Sequence, residues 1–226
     1  FHDSSLPDSV DWEAAGMVTP VKNQGSCGTV TAFAAAAAIE SAHAIATGNL
    51  VSLSEGQISD CCDGGSGNGC GGTWTDFDHE FRCVIAQGGI DLEGTYPDPS
   101  ISGNCKFNPA SVGARIESYQ DVTAGSEIAL QEVVALVGPA AVVLNAALPS
   151  FQFYSSGIYN DAACTATTVN HAAAVVGYGI DQSSTLPYWK VKNSWGTNWG
   201  MGGYILIARN QNDLCGIASG AAYPIV

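Results

Sequence analysis

Basic residues are what this sequence most lacks. Seven lysines and arginines stand against 21 aspartates and glutamates, a net charge of −14. The seven (Lys22, Arg82, Lys106, Arg115, Lys190, Lys192 and Arg209) are scattered and build no stripe. Nucleic acid and anionic membranes are therefore not expected partners. Long apolar runs are also missing. The longest, residues 32–39, is mostly alanine and falls short of the ~18 residues of a membrane span. None of the eight cysteines forms a Cys-x-x-Cys pair, so structural zinc is not expected and no metal or other cofactor is assigned. No Asn-x-Ser/Thr sequon occurs, which argues against N-glycosylation. No signal peptide is visible, and a processed mature chain beginning near Phe1 is the expectation.

What is present describes a folded protein. Hydrophobic residues at 46% and charged ones at 12% exclude disorder. A chain of 226 residues makes one large domain or two packed halves. Eight cysteines point to an oxidising compartment, secreted or lysosome-like, with disulfides favoured over metal. The first half reads as helix and loop. Residues 30–46 are nearly all helix formers, closed by Gly48, and their alanines suit a buried central helix. A second helix is expected over 74–87, and a third over 127–137 with Ser126 as its N-cap. Strands are expected at 142–145, 171–178, 188–192 and 204–209, where β-branched and aromatic residues gather. The expectation is α+β: a helical half at roughly 13–117 facing an antiparallel, barrel-like β half at roughly 118–226. The N-terminal segment joins the β half, and a cleft separates the two.

The chemistry begins with a further absence. Residues 23–33 read Asn-Gln-Gly-Ser-Cys-Gly-Thr-Val-Thr-Ala-Phe. Acyl transfer needs an activated nucleophile, a base, a group that orients the base, and oxyanion donors. A thiol at the start of a helix would be activated there, but position 30 is valine, which can neither ionise nor attack. Thr29 and Thr31 flank it, yet one helical step is about 100° of rotation, so neither hydroxyl points where residue 30 points. The other three roles have candidates. Gln24 and the backbone N–H of residue 30 suit an oxyanion. His171, about 140 residues further on, suits the base. Asn193 suits its orienter. Taken singly each fits an ordinary structural role; their joint order is what marks a site.

Leu-Pro-Asp-Ser-Val-Asp-Trp (6–12), Val-Thr-Pro-Val-Lys-Asn-Gln-Gly (18–25), Lys-Asn-Ser-Trp-Gly (192–196), Trp-Gly-Met-Gly-Gly-Tyr (199–204) and Cys-Gly-Ile-Ala-Ser (215–219) carry a resemblance. The chain resembles papain-like cysteine proteases of the cathepsin L branch over essentially its whole length. The resemblance implies a two-domain papain-like fold, with Val30 in the nucleophile's position and Gln24, His171 and Asn193 around it. It also implies that Gly71, Gly72 and Trp195 line the substrate cleft. It implies the bridges Cys27–Cys70, Cys61–Cys105 and Cys164–Cys215, leaving Cys62 and Cys83 to pair together, to join another chain or to stay free.

Smaller details, Ala-Thr-Gly-Asn-Leu (46–50), Phe-Tyr-Ser-Ser-Gly-Ile-Tyr (153–159), Val-Asn-His-Ala (169–172) and Gly-Tyr-Gly-Ile (177–180), are similar to silicateins. That likeness implies a non-proteolytic, filament-forming protein that templates silica in an extracellular biomineral. Silicic acid and further copies of the chain would be its partners. With serine at position 30, His171 and Asn193 would activate a hydroxyl for silica condensation. The alternatives are a cathepsin L-like endopeptidase, inactive or substituted at its active site, and an inactive papain-fold protein that holds peptides.

Overall fold

The computed structural model describes residues 6–62, 76–97 and 104–226. Gly71, Gly72, Cys70 and Trp74 lie outside the described residues.

Helix α1, Val30–Thr47, runs through the middle of the molecule. It ends at Gly48, whose φ of 74° closes the helix in the left-handed region that only glycine enters without strain. Ala32, Ala34, Ala35, Ala36 and Ala38 are all buried. Their missing side-chain bulk lets the backbones of neighbouring strands come close. By length and composition α1 could cross a membrane, but 72% of it is buried inside the protein, as suits a core helix. Helices α2 (Glu55–Cys61) and α3 (Phe77–Gln87) pack beside it. Ser54 caps α2 by accepting from the Gln57 N–H, and Asp76 caps α3 by accepting from that of His79.

The strands are β1 (Val10–Asp11), β2 (Ile90–Asp91), β3 (Val112–Ala114), β4 (Ser118–Asp121) and β5 (Ala140–Leu144). They continue with β6 (Ile158–Tyr159), β7 (His171–Ile180), β8 (Pro187–Lys192), β9 (Tyr204–Ala208) and β10 (Ala221–Ile225). Helix α4, Glu127–Leu136, begins after Ser126, whose hydroxyl accepts from the Ala129 N–H. A single turn, α5 (Pro149–Gln152), follows β5. The large sheet has the order β4-β10-β5-β7-β8-β9-β6, with β1 added to β7. Gly177 makes that addition possible, because a Cβ there would lie 2.3 Å from the Val10 carbonyl oxygen.

The expected antiparallel β half is present, with one parallel pair, β6 on β9, and its barrel-like character stops short of closure. Among the described residues the sheet is open, and its end strands β4 and β6 do not pair. The two-residue β6 is too short to carry the sheet round to closure. One apolar core lies between this sheet and α4, α5 and the C-terminal turns. A second joins α1, α2 and α3 to Ala141, Ala172 and Ala222 of the sheet. The first turn of α1 and the start of β7 therefore share one core. Bridges join Cys61 to Cys105, Cys62 to Cys83 and Cys164 to Cys215. Cys27 is also disulfide-bonded, and its expected partner Cys70 lies outside the described residues.

Candidate active site

Four of the sequence-selected residues come together where α1 meets the sheet. Val30 is the first residue of α1 and is 8% exposed. It packs in the same apolar cluster as Ala172, next to His171 at the start of β7. His171 Nε2 lies 2.7 Å from Asn193 Oδ1. The same oxygen accepts from the Ser194 N–H at 2.8 Å, which identifies the atom as oxygen. His171 therefore donates through Nε2 and carries its lone pair on Nδ1. Burial lowers its pKa to about 4, against a smaller opposing effect of the bond to Asn193. The ring is neutral, a base without a nearby proton to take from a valine. Trp195 lies 4.9 Å from it, ring to ring, and heads an aromatic wall with Trp199 and Phe151.

The candidate oxyanion donors each make a hydrogen bond within the fold, and the Gln24 amide keeps a second N–H. Gln24 Nε2 donates to the Cys27 carbonyl at 2.9 Å, and Gln24 Oε1 accepts from Ser194 Oγ at 2.6 Å. The N–H of Val30 donates to the Gly28 carbonyl at 2.9 Å. Thr31 turns away and donates its hydroxyl to buried Glu80 at 2.8 Å.

Beneath this site lies a charged cluster that sequence reading missed. Lys22 Nζ meets Glu40 at 3.1 Å, Glu55 at 2.7 Å and Glu93 at 2.6 Å. Lys192 Nζ donates to Thr19 Oγ1 at 2.8 Å and stands 3.9 Å from Glu40. Glu40 also accepts from Thr19 Oγ1 and the Leu53 N–H. Burial pushes the Glu55 carboxyl up to about 8, and Lys22 only partly opposes it. Burial works against the charge of Lys22 too, but Glu40 and Glu55 outweigh it and raise that lysine. Lys192 is lowered, mainly by burial. A cavity of about 20 Å³ adjoins the cluster, room for about one water. Among its lining residues are Glu55 and Asn193, whose buried Oε2 and Nδ2 atoms have no hydrogen-bond partner among the described residues. The available signal was Glu40, an acid placed directly after an alanine-rich apolar stretch.

Residues 6–225 match the papain family of cysteine proteases, and the chain belongs to that family. It is 46% identical over 222 residues to cathepsin L1 of Drosophila melanogaster, covering 98% of this chain and 59% of that protein. It is 44% identical over 223 residues to procathepsin L of Rattus norvegicus, covering 98% and 66%. Among solved structures, digestive procathepsin L2 proteinase of Tenebrio molitor larval midgut superposes with a TM-score of 0.91 at 43% identity, covering all of this chain and 70% of that one. Bromelain of Ananas comosus, in complex with the E64 inhibitor, gives 0.89 at 39%, covering 98% and 100%. The chain spans 59–66% of the length of the curated relatives it matches, cathepsin L1 and procathepsin L among them. Within the family it is cathepsin L-like.

Proposed function

We propose that this chain is a cathepsin L-like papain-family protein whose cleft holds an extended peptide without cutting it. The observation that carries the reading is Val30 opening α1 in the core that also contains Ala172, beside an assembled His171–Asn193 pair. In this reading Val30 stands in the nucleophile's place, and Gln24 with the Val30 N–H forms the oxyanion side. Trp195 borders the bound chain, and the expected cleft residues Gly71 and Gly72 lie outside the described residues. Hydrolysis would need an attacking atom and free oxyanion donors. Valine supplies no such atom, and the Val30 N–H is engaged by the Gly28 carbonyl. The disulfides support a secreted or lysosome-like setting.

The silica-templating reading has less behind it. The relatives carry peptidase names. Two hydroxyl-rich stretches, residues 98–104 and 181–185, suit silicic acid; residues 98–103 of the first lie outside the described residues. In the other, Ser183 and Ser184 both donate to Asp181. Filament assembly and silica binding belong to that second reading.

The test pairs two measurements on one labelled peptide: binding by fluorescence anisotropy, and cleavage in the presence of a thiol reductant. Binding without cleavage is expected. Cleavage abolished by thiol alkylation would overturn the reading in favour of an active endopeptidase.

A further inference from the structure

A groove of about 430 Å³ opens between the loop joining β6 to β7 and the loop joining β9 to β10. That is room for a small ligand, and none of its lining residues belongs to the candidate active site. Its polar lining is Asn160, Thr165 and Thr167 from the first loop and Gln211 and Asn212 from the second. Ala162, Ala166 and Leu214 supply small apolar patches between them. No lysine, arginine or histidine lines it. Its single carboxylate, Asp213, spends one oxygen on the Ala218 N–H and the other on the Ser219 hydroxyl.

The polar groups are open to a ligand and the backbone behind them is fixed. The side-chain amides of Asn160, Gln211 and Asn212 make no hydrogen bond among the described residues, and all three residues are exposed. The hydroxyls of Thr165 and Thr167 bond each other at 2.7 Å, which leaves one hydroxyl hydrogen free to donate. In the second loop Asn210, Asn212, Asp213 and Cys215 have φ of 60°, 58°, 56° and 58°, a region that residues other than glycine enter rarely. Such residues persist only where their surroundings hold them, and they gather at binding sites. Here Glu127 accepts from the N–H groups of Asn210 and Asp213 at 2.8 and 3.2 Å. The bridge from Cys215 to Cys164 ties the second loop to the first. The groove is therefore shaped before a ligand arrives, which lowers the cost of ordering it.

An amide donates through its nitrogen and accepts through its oxygen, and a hydroxyl does both. Five such groups around one groove suit a ligand that also donates and accepts at every position. Sugar hydroxyls do so, whereas a peptide backbone offers one donor and one acceptor per residue. With no basic side chain in the lining and a net charge of −14 overall, an anion is disfavoured. A cation finds no free carboxylate there, because Asp213 is turned to its own loop. We infer that this groove binds a small neutral saccharide, its hydroxyls on the amides of Asn160, Gln211 and Asn212 and its C–H face on Ala162 and Leu214. The inference goes beyond the peptide-binding reading and does not depend on it.

The test titrates the whole chain, labelled with nitrogen-15, with cellobiose, maltose, lactose and diacetylchitobiose, and with cyclohexanol as a ring bearing one hydroxyl. At least one disaccharide is expected to shift the side-chain NH2 signals of Asn160, Gln211 and Asn212 along a saturating curve, with a Kd of about 1 mM. Cyclohexanol should leave them in place. Asn160→Ala and Gln211→Ala change exposed side chains without internal partners, so each should fold normally, as a melting curve checks. Each should weaken the disaccharide about tenfold. A carrier glycoprotein titrated before and after enzymatic deglycosylation separates the sources. Shifts lost on deglycosylation mark a protein-borne glycan, and shifts with the free disaccharide alone mark a free sugar; both support the inference. It is overturned if no disaccharide moves these signals at about 20 mM, if cyclohexanol moves them equally, or if both alanine variants bind as the parent does. Shifts caused by an unglycosylated peptide and by no sugar would also overturn it, and would make the groove an extension of the peptide cleft.

Discussion

Between His171 and Asn193 the hydrogen bond has one possible direction, because Asn193 Oδ1 already accepts from Ser194. Burial then keeps the ring neutral down to about pH 4. An NMR titration should show the His171 imidazole uncharged at pH 5.5, where an ordinary histidine is mostly charged. A charged ring at that pH would contradict its burial. The Val30→Cys variant tests the neighbours. It supplies a thiol and Gln24 Nε2 keeps a second N–H beside its bond to the Cys27 carbonyl, yet the single residue-30 N–H is still engaged by the Gly28 carbonyl. Peptide turnover should stay at least about a hundredfold below that of an active relative assayed alongside, the cost of one lost oxyanion donor. Full activity would mean that this donor swings free. His171, Asn193 and Gln24 were legible in the sequence because their order and spacing are those one site requires. Lys22, Glu40, Glu55 and Lys192 were not. Pairing between residues 18 or more positions apart leaves no local pattern to read.

Alanine and capping signals made the helices legible. α1 and α4 were expected at 30–46 and 127–137, and they occupy Val30–Thr47 and Glu127–Leu136. The seven-residue α2 escaped notice because it is too short for a clear period. Its signal was Ser54 followed three residues later by Gln57, the spacing of a capping box, of which the structure forms the Ser54 half. β10 escaped because it contains Pro224, which reads as a strand breaker. The fold tolerates it because β5 pairs only with Ala221 and Ala222, while Pro224 faces β4 alone.

Two substitutions measure what these elements contribute. Ala36→Leu adds bulk to a fully buried position of α1 and should cost about 1–3 kcal/mol in chemical denaturation. Ser126→Ala removes the acceptor for the Ala129 N–H and should cost about 1 kcal/mol. No effect from Ala36→Leu would mean that α1 is not close-packed against the sheet.

For the molecule as a whole, the sheet's open path explains why a barrel was expected and not found. Strand patterns predict pairing surfaces, but closure depends on the length and direction of the last strand, here the two residues of β6. Stability should also depend on pH in a particular way. From pH 4.5 to about 8 the folded chain keeps a proton on Glu55 that an unfolded chain has released, so raising pH across that window lowers stability. His171 acts oppositely, and its contribution is lost as pH falls from 6.5 towards 4. The two oppose each other up to pH 6.5; beyond it, of this pair only Glu55 acts. The melting temperature should fall between pH 6.5 and 8, and Glu55→Gln should flatten that fall. A wild-type profile flat over the range would refute the assignment.

The same ionic cluster has a mechanical side. Lys22 precedes α1, Glu40 sits on α1, Glu55 on α2, Glu93 follows β2, and Lys192 ends β8. Removing one partner would strand a buried charge at a cost of about 3–5 kcal/mol, so the two walls above the cluster cannot part cheaply. In the peptide-binding reading the cleft between those walls has a preset width, and a ligand that fits loses little free energy to ordering them. One that does not fit gains nothing by waiting for the cleft to open. Selection then rests on shape at first contact, and differences between ligands should appear mainly in how long each stays.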